Sequence, residues 1–397
     1  MIRCHCNIFL DRQMQMWCNN WQSIKFLKGN DNMKECNSCV PAFDAAELNV
    51  VAEIPSLFGG PATPIYNFPV TPKEAYAAML ARKPIWEPTT VETRLFAPRI
   101  HPDNVARAFA FEAQSFDPLT EGGGKDMFGI EWEYVPLVGG SMVRPGKPLM
   151  EDANEWTEKI VWPDIESWDW EGCAKLNTEY VTCDKYVKCW FMNGWFERLI
   201  SFMEFDGAIM AMVDEDQTDA VKALFDKLTD LYIRMFDKFI TYFPGIDGFL
   251  IHDDWGSQRE TFFSPAVVEE MIVPYMKRVT DFLHSKGKTC ELHSCGQILK
   301  QVPNMIAAGW DCWTPQPMND VQKIYELYGD KIVIGAMPDE FDPATATEEE
   351  QRACARKFAE EYCQPNKPTY LNSYSAGLLT PAFREELYKQ SRIQYSK

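Results

Sequence analysis

The chain has 397 residues, 46% hydrophobic and 13% aromatic, enough to bury a large core, which excludes a disordered tail protein. Its formal net charge of -19 opposes binding to phosphate backbones or anionic lipid, so nucleic acid is not an expected partner. No run of eighteen or more apolar residues and no basic segment leading into an apolar one appears, so the expectation is a cytoplasmic protein with no membrane span. In that compartment the thirteen cysteines, scattered without a framework spacing, read as reduced thiols.

In chain order, residues 1–40 stand apart as an N-terminal extension, because "MIRCHCNIFLDRQMQMWCNNW" shows neither helical nor strand periodicity. Met33 opens "MKECNSC" just ahead of sequence of ordinary globular character, so the segment before it is expected to be disordered or a misassigned start. The alternative is a small zinc module of Cys4, Cys6, Cys36 and Cys39. Residues 41–397 are expected to form one domain, since no Gly/Ser-rich linker divides them.

"TPKEAYAAMLARK" predicts a helix with Thr71 as N-cap, Pro72 at its first position and Glu74 at its third. "KPIWEPTT" reads as a short strand, and the Gly- and Pro-dense stretch from 115 to 150 as long loops with a hairpin. After residue 185 a unit repeats: an apolar run, a polar residue at its end, then a helix. The runs are "VKCWFMNG", "GFLIHDD", "KTCELHSCG", "WDCWTPQP", "KIVIGAMPD" and "PTYLNSYS". The helices include "TDAVKALFDKLTDLYIRMFDKFI" and "SPAVVEEMIVPYMKRVTDFLHSKG". Strands separated by helices imply a parallel sheet, and the count favours an α/β fold closed into a (β/α)8 TIM barrel.

Asn193, His252, Asp253, Asp254, His293, Cys295, Gln316, Asp339, Ser373 and Tyr374 all fall at the C-terminal ends of those runs. In a barrel these ends converge on the face where active sites are built. In "ELHSCG" the two-residue period puts Glu291, His293 and Cys295 on one side of the strand, a nitrogen and a sulfur suited to zinc. On spacing alone the pattern is weak, and a satisfied core histidine beside a buried thiol is the commoner outcome of such a pair. Glu291 lies on the same side but too deep in the strand to reach a substrate.

The segments "IHDDWGSQRETFFSP", "KTCELHSCGQILKQVPNMIAAGWDCWTPQP", "YGDKIVIGAMPDEFDP" and "YLNSYSAGLLTP" resemble, in order and spacing, the uroporphyrinogen decarboxylase superfamily, which includes zinc- and corrinoid-linked methyltransferases. The resemblance implies the barrel and, in the methyltransferase branch, makes His293 and Cys295 zinc ligands. It departs in two ways from relatives: "KPIWEPTTVETRLFAPR" lacks the arginine pair with which decarboxylases grip carboxylates, and "NSYSAGLL" lacks the thiol that thiol-activating methyltransferases carry after the last strand. Cys312, Cys354 and Cys363 are poorly placed to replace that thiol, which leaves Asp253 or Asp254 as further ligands or as the catalytic acid.

A zinc with fewer thiolates is the more electrophilic, which suits an ether oxygen better than a thiolate. The resemblance therefore implies a zinc-dependent methyltransferase that moves a methyl group from a methoxylated small molecule to Co(I) on a separate corrinoid protein, as in O-demethylase systems. Asn193, His252, Gln316 and Tyr374 are expected to orient the substrate, with Trp190, Trp195, Trp255 and Trp313 as an apolar wall. The alternatives are a decarboxylase-like carboxy-lyase, a methylcorrinoid:thiol methyltransferase, and a metal-free binding protein.

Overall fold

The computed structural model describes residues 42–54, 63–137 and 139–397. The extension 1–40, with Met33 and the Cys4, Cys6, Cys36 and Cys39 reading, lies outside them. The helix expected after Thr71 spans Pro72–Leu80 and starts in a full capping box: the Thr71 hydroxyl accepts from Glu74 N, and the Glu74 carboxylate accepts from Thr71 N. Two reciprocal bonds at one helix end satisfy donors that the helix itself leaves open.

Ahead of that helix, β1 (Val50–Ile54) and β2 (Thr63–Tyr66) pair antiparallel. β3 (Thr93–Phe96) is the first barrel strand. The Gly- and Pro-rich stretch forms a separate three-stranded antiparallel sheet of β4 (Gly124–Lys125), β5 (Glu131–Val135) and β6 (Gly140–Val143). The six apolar runs become β7 (Tyr186–Phe191), β8 (Gly248–His252), β9 (Thr289–His293), β10 (Cys312–Trp313), β11 (Val333–Ala336) and β12 (Thr369–Leu371). With β3 they make one curled seven-stranded sheet in the order β12-β11-β10-β9-β8-β7-β3, every neighbouring pair parallel. This is the expected barrel with one strand replaced.

The replaced piece is "KPIWEPTT", which is not a strand. Pro84 and Pro88 have no N–H to donate into a ladder, so the segment runs irregularly past β12 and offers it one carbonyl, Pro88 O, which accepts from Leu371 N at 2.8 Å. A second difference lies in "SPAVVEEMIVPYMKRVTDFLHSKG", which forms two helices, Pro265–Met271 and Val273–Ser285, rather than one. Pro274 lacks the amide needed to carry the ladder across, and the chain turns at Ile272.

The pleat sorts the strands into an outer and an inner set. Cys189 and Phe191 of β7, Phe249 and Ile251 of β8, and Cys290 and Leu292 of β9 belong to the core beneath the helices. Their alternates point into the barrel: Lys188 and Trp190, Leu250 and His252, Glu291 and His293. The helix Thr218–Tyr242 packs on the outer set through Val221, Leu224, Phe225, Leu228, Leu231, Tyr232, Met235, Phe236 and Phe239, a stripe with three- and four-residue spacing. Among the described residues no helix is long and apolar enough to cross a membrane.

A buried ion cluster ties the β4–β6 excursion to the barrel. Arg198, fully buried on the helix Trp195–Ala211, bonds Asp126 at 2.6 Å and also Asp103. Asp126 in turn accepts from Trp132 Nε1 at 3.0 Å, and Asp103 from Met127 N at 3.0 Å. Removing the cation leaves two carboxylates in a dry interior. Arg198→Met is therefore expected to destabilise the fold by about 3–5 kcal/mol, read as a lower urea midpoint; an unchanged midpoint would show that the cluster is not what holds the excursion.

Candidate metal centre

β8 and β9 are adjacent and parallel, in a register that sets His252 directly opposite His293. Both side chains point into the barrel at its C-terminal mouth, where their rings stack with centroids 4.6 Å apart and 16° between planes. The two turns that follow are laced together: Asp253 N donates to His293 O at 2.9 Å, Trp255 N to Ser294 Oγ at 3.0 Å, and Cys295 N to Asp254 Oδ1 at 2.6 Å. Gly296 makes the second turn possible, with φ of +99° and a position where a Cβ would stand 2.4 Å from the Gly256 carbonyl carbon.

The result is a compact donor group. One ligand atom each from His252, Asp254, His293 and Cys295 lies within 4.8 Å of the others. His293 Nε2 is 3.4 Å from Cys295 Sγ, and His252 Nε2 is 3.8 Å from Asp254 Oδ1. Tetrahedral zinc with bonds of roughly 2.0–2.3 Å needs donor–donor edges of about 3.3–3.8 Å, so these separations fit such an ion with little movement.

The electrostatics divide the two histidines. Burial, and the positive charge of His252 beside it, push His293 down to about 3, so it is a neutral imidazole with a lone pair to give. Burial also acts against charge on His252, but Glu197 and Asp254 outweigh it and hold the proton above the ordinary histidine value. Glu197 bonds His252 Nδ1 directly and is itself paired with Arg107 at 3.0 Å. Although burial opposes its ionisation, Arg107 and His252 bring Glu197 down to about 2. Burial raises Asp254, with His252 opposing.

The expected site residues separate into those at the group and those behind it. His293, Cys295, Asp254 and His252 come together. Asp253 turns away: its Oδ1 accepts from Glu197 N at 2.9 Å and its Oδ2 from Trp255 Nε1 at 3.0 Å, fully buried at the start of the helix Trp195–Ala211. Burial, with Glu197 nearby, raises it to about 7. Asn193 is also buried, donating to Asp103 at 2.9 Å and accepting from Arg107 at 2.6 Å.

Gln316 sits on the other flank, where its Oε1 accepts from Gly296 N at 2.7 Å while its Nε2 reaches Cys295 Sγ at 3.4 Å and Tyr374 Oη at 3.0 Å. Glu291 lies below, bound to Lys188 Nζ at 2.5 Å and Thr314 Oγ1 at 3.0 Å. Asp339, at another strand end, pairs with Lys357 on the outer surface. Cys312 packs low in the barrel against Tyr76 and Tyr186, Cys354 donates to Asp339 O, and Cys363 is buried beside Glu87.

Two expectations change. Trp195, Trp255 and Trp313 do not line the mouth; they are fully buried in the core under the helices, because Trp313 has the outward parity, Trp255 lies in a turn and Trp195 opens a helix. Only Trp190 faces inward, 6.4 Å from the His252 ring, and it forms an apolar wall with Phe109, Phe111 and Leu250. Glu197 and Arg107, which set the charge of His252, were not anticipated. Glu197 follows "NGW" after β7 in the first turn of a helix, and Arg107 comes from a turn ninety residues earlier; neither has a local pattern of its own.

Comparison with known proteins agrees with this architecture. The family model for uroporphyrinogen decarboxylase matches residues 197–382, a span that begins at Glu197 and contains all four donors. Among solved structures, a methyltransferase from Methanosarcina mazei is similar with a TM-score of 0.55 at 16% sequence identity, covering 83% of this chain and 100% of that one. No match was found among curated protein sequences. Residues 197–382 thus resemble the uroporphyrinogen decarboxylase family, and the chain shares its barrel fold with the solved structure.

Proposed function

We propose that the protein is a zinc-dependent methyltransferase of this superfamily that takes a methyl group from a methoxylated small molecule and passes it to Co(I) of a separate corrinoid protein. The observation that carries the reading is the donor group at the barrel mouth, His293, Cys295, Asp254 and His252 within 4.8 Å of one another. His293, Cys295 and Asp254 would hold the ion, a nitrogen, a sulfur and an oxygen whose single thiolate leaves it electrophilic. Bound there, zinc would supply Lewis acidity toward the ether oxygen.

The chain's own residues account for the rest. Breaking CH3–O by transfer to Co(I) leaves an oxygen that needs a proton, so the balanced step is CH3–OR plus Co(I) plus H+ giving CH3–Co(III) plus HOR. His252 is suited to deliver that proton: Glu197 fixes its Nδ1, leaving Nε2 on the Asp254 side as the donor. Asp253, by holding Glu197 N and Trp255 Nε1, acts as a positioning residue for the helix and turn that carry these groups. Gln316 and Tyr374 would hold the Cys295 flank, and Trp190 with Phe109 and Phe111 would receive the apolar part of the substrate. The corrinoid partner would approach over the open mouth, on a single domain spanning 41–397.

A carboxy-lyase reading has the family match in its favour. It meets an obstacle in Arg107, which is already committed to Glu197 and Asn193 rather than free to grip a carboxylate.

Metal analysis separates the readings: one zinc per chain at this centre is expected, lost in His293→Ala and Cys295→Ala and kept in Cys354→Ala, whereas a fully active protein without metal would end the proposal. Glu197→Gln is expected to lower the methyl-transfer rate by about 100-fold or more while the bound zinc is kept, since the histidine it orients delivers the proton and loses its charged partner. Mixing the protein with reduced corrinoid protein and methoxyarenes is expected to convert the Co(I) spectrum to that of methyl-Co(III). Demethylation of methyl-Co(III) by a thiol, with no ether reacting, would give the assignment to the thiol methyltransferases instead.

A further inference from the structure

At the opposite end of the barrel a second group of unlike donors converges. His284 lies in the last turn of the helix Val273–Ser285, Cys290 is the second residue of β9, and Asp311 immediately precedes β10. One ligand atom from each lies within 4.8 Å of the other two. Asp311 Oδ2 is the hub, accepting from His284 Nε2 at 2.9 Å and from Cys290 N at 2.7 Å, and Asp311 N donates back to Cys290 O at 2.9 Å.

This group is separate from the mouth. Cys290 and His293 share β9, but three residues put them on the order of 10 Å apart along the strand, and they point to opposite faces of the sheet. Nothing in the methyl-transfer reading uses it.

We propose that His284, Cys290 and Asp311 bind a second divalent cation of the zinc class, clamping the start of β9 and β10 to the end of the helix that precedes them. A nitrogen, a sulfur and a carboxylate oxygen together suit a borderline cation and not a hard one such as magnesium. The surroundings favour positive charge, since the carbonyl end of a thirteen-residue helix points here; Asp281, one turn before His284, is paired with Lys277. The neighbouring cations are engaged elsewhere, Lys286 with Asp237 at 2.8 Å and Lys288 with Ile246 O at 2.5 Å.

Access is one-sided. The side chains of His284 and Asp311 are 39% and 32% exposed, so an ion can enter from solvent and keep water in its fourth position, while the Cys290 sulfur closes the site from inside. Binding forms a zinc–sulfur bond and releases the thiol proton to solvent, with no change in oxidation state.

The test uses the full chain carrying His293→Ala and Cys295→Ala, which removes the donors at the mouth, titrated with zinc against a competing chelator. One equivalent is expected to remain, and adding His284→Ala, an exposed position where the change should not disturb the core, is expected to weaken it at least tenfold. No bound zinc in that double variant, or binding indifferent to His284→Ala, would overturn the site. If the double variant does not fold, the same count is made in the otherwise native protein, where His284→Ala must lower the bound zinc by one equivalent and Cys290→Ser must do the same. A native protein that holds a single zinc, lost through His284→Ala but not through Cys295→Ala, would uphold this site while removing the support for the methyltransferase centre.

Discussion

The structure depends on the parallel register between β8 and β9. Because that register aligns His252 with His293, two imidazoles that are forty-one residues apart in sequence end face to face at 4.6 Å, and the turns after them bring Asp254 and Cys295 to the same point. A slip of β9 by one residue would send His293 to the helix side and part it from His252, since alternate residues face opposite ways. The register is held by burial: Phe249, Ile251, Cys290 and Leu292 would lose their places in the core if it shifted.

Stacked histidines in a dry barrel repel if both are protonated, and the surrounding charges remove the conflict by treating them differently. Glu197, ionised because Arg107 faces it, keeps the proton on His252; His293, without such a partner, stays neutral. One imidazole is thus prepared to donate a proton and the other a lone pair. Below them, Glu291 pairs with Lys188 and accepts from Thr314 and Tyr370, which gives the mouth a floor of hydrogen-bonded polar groups.

The same frame explains which residues serve the fold. Asp253 and Asp254 are neighbours with identical side chains, yet one anchors a helix start and the other joins the donor group, because successive residues in the turn point apart. Asn193 and Arg198 connect the mouth to the β4–β6 excursion through Asp103. The positions that look polar and accessible on paper are therefore partly scaffolding, and the chemistry rests on a smaller set.

The sequence alone determined the elements whose signals are local. All six apolar runs became barrel strands, the Thr71 capping box formed, and His293 and Cys295 faced the same way, because period-two burial and helix-end hydrogen bonds need only a few adjacent residues. "KPIWEPTT" failed as a strand where two missing amides overrode its apolar character. Only the tertiary structure decided which aspartate meets the thiol, which tryptophan faces inward, and that Glu197 and Arg107 control His252. Those outcomes turn on contacts between segments tens of residues apart, and the charge that each side chain carries is set by neighbours that the linear pattern does not bring together.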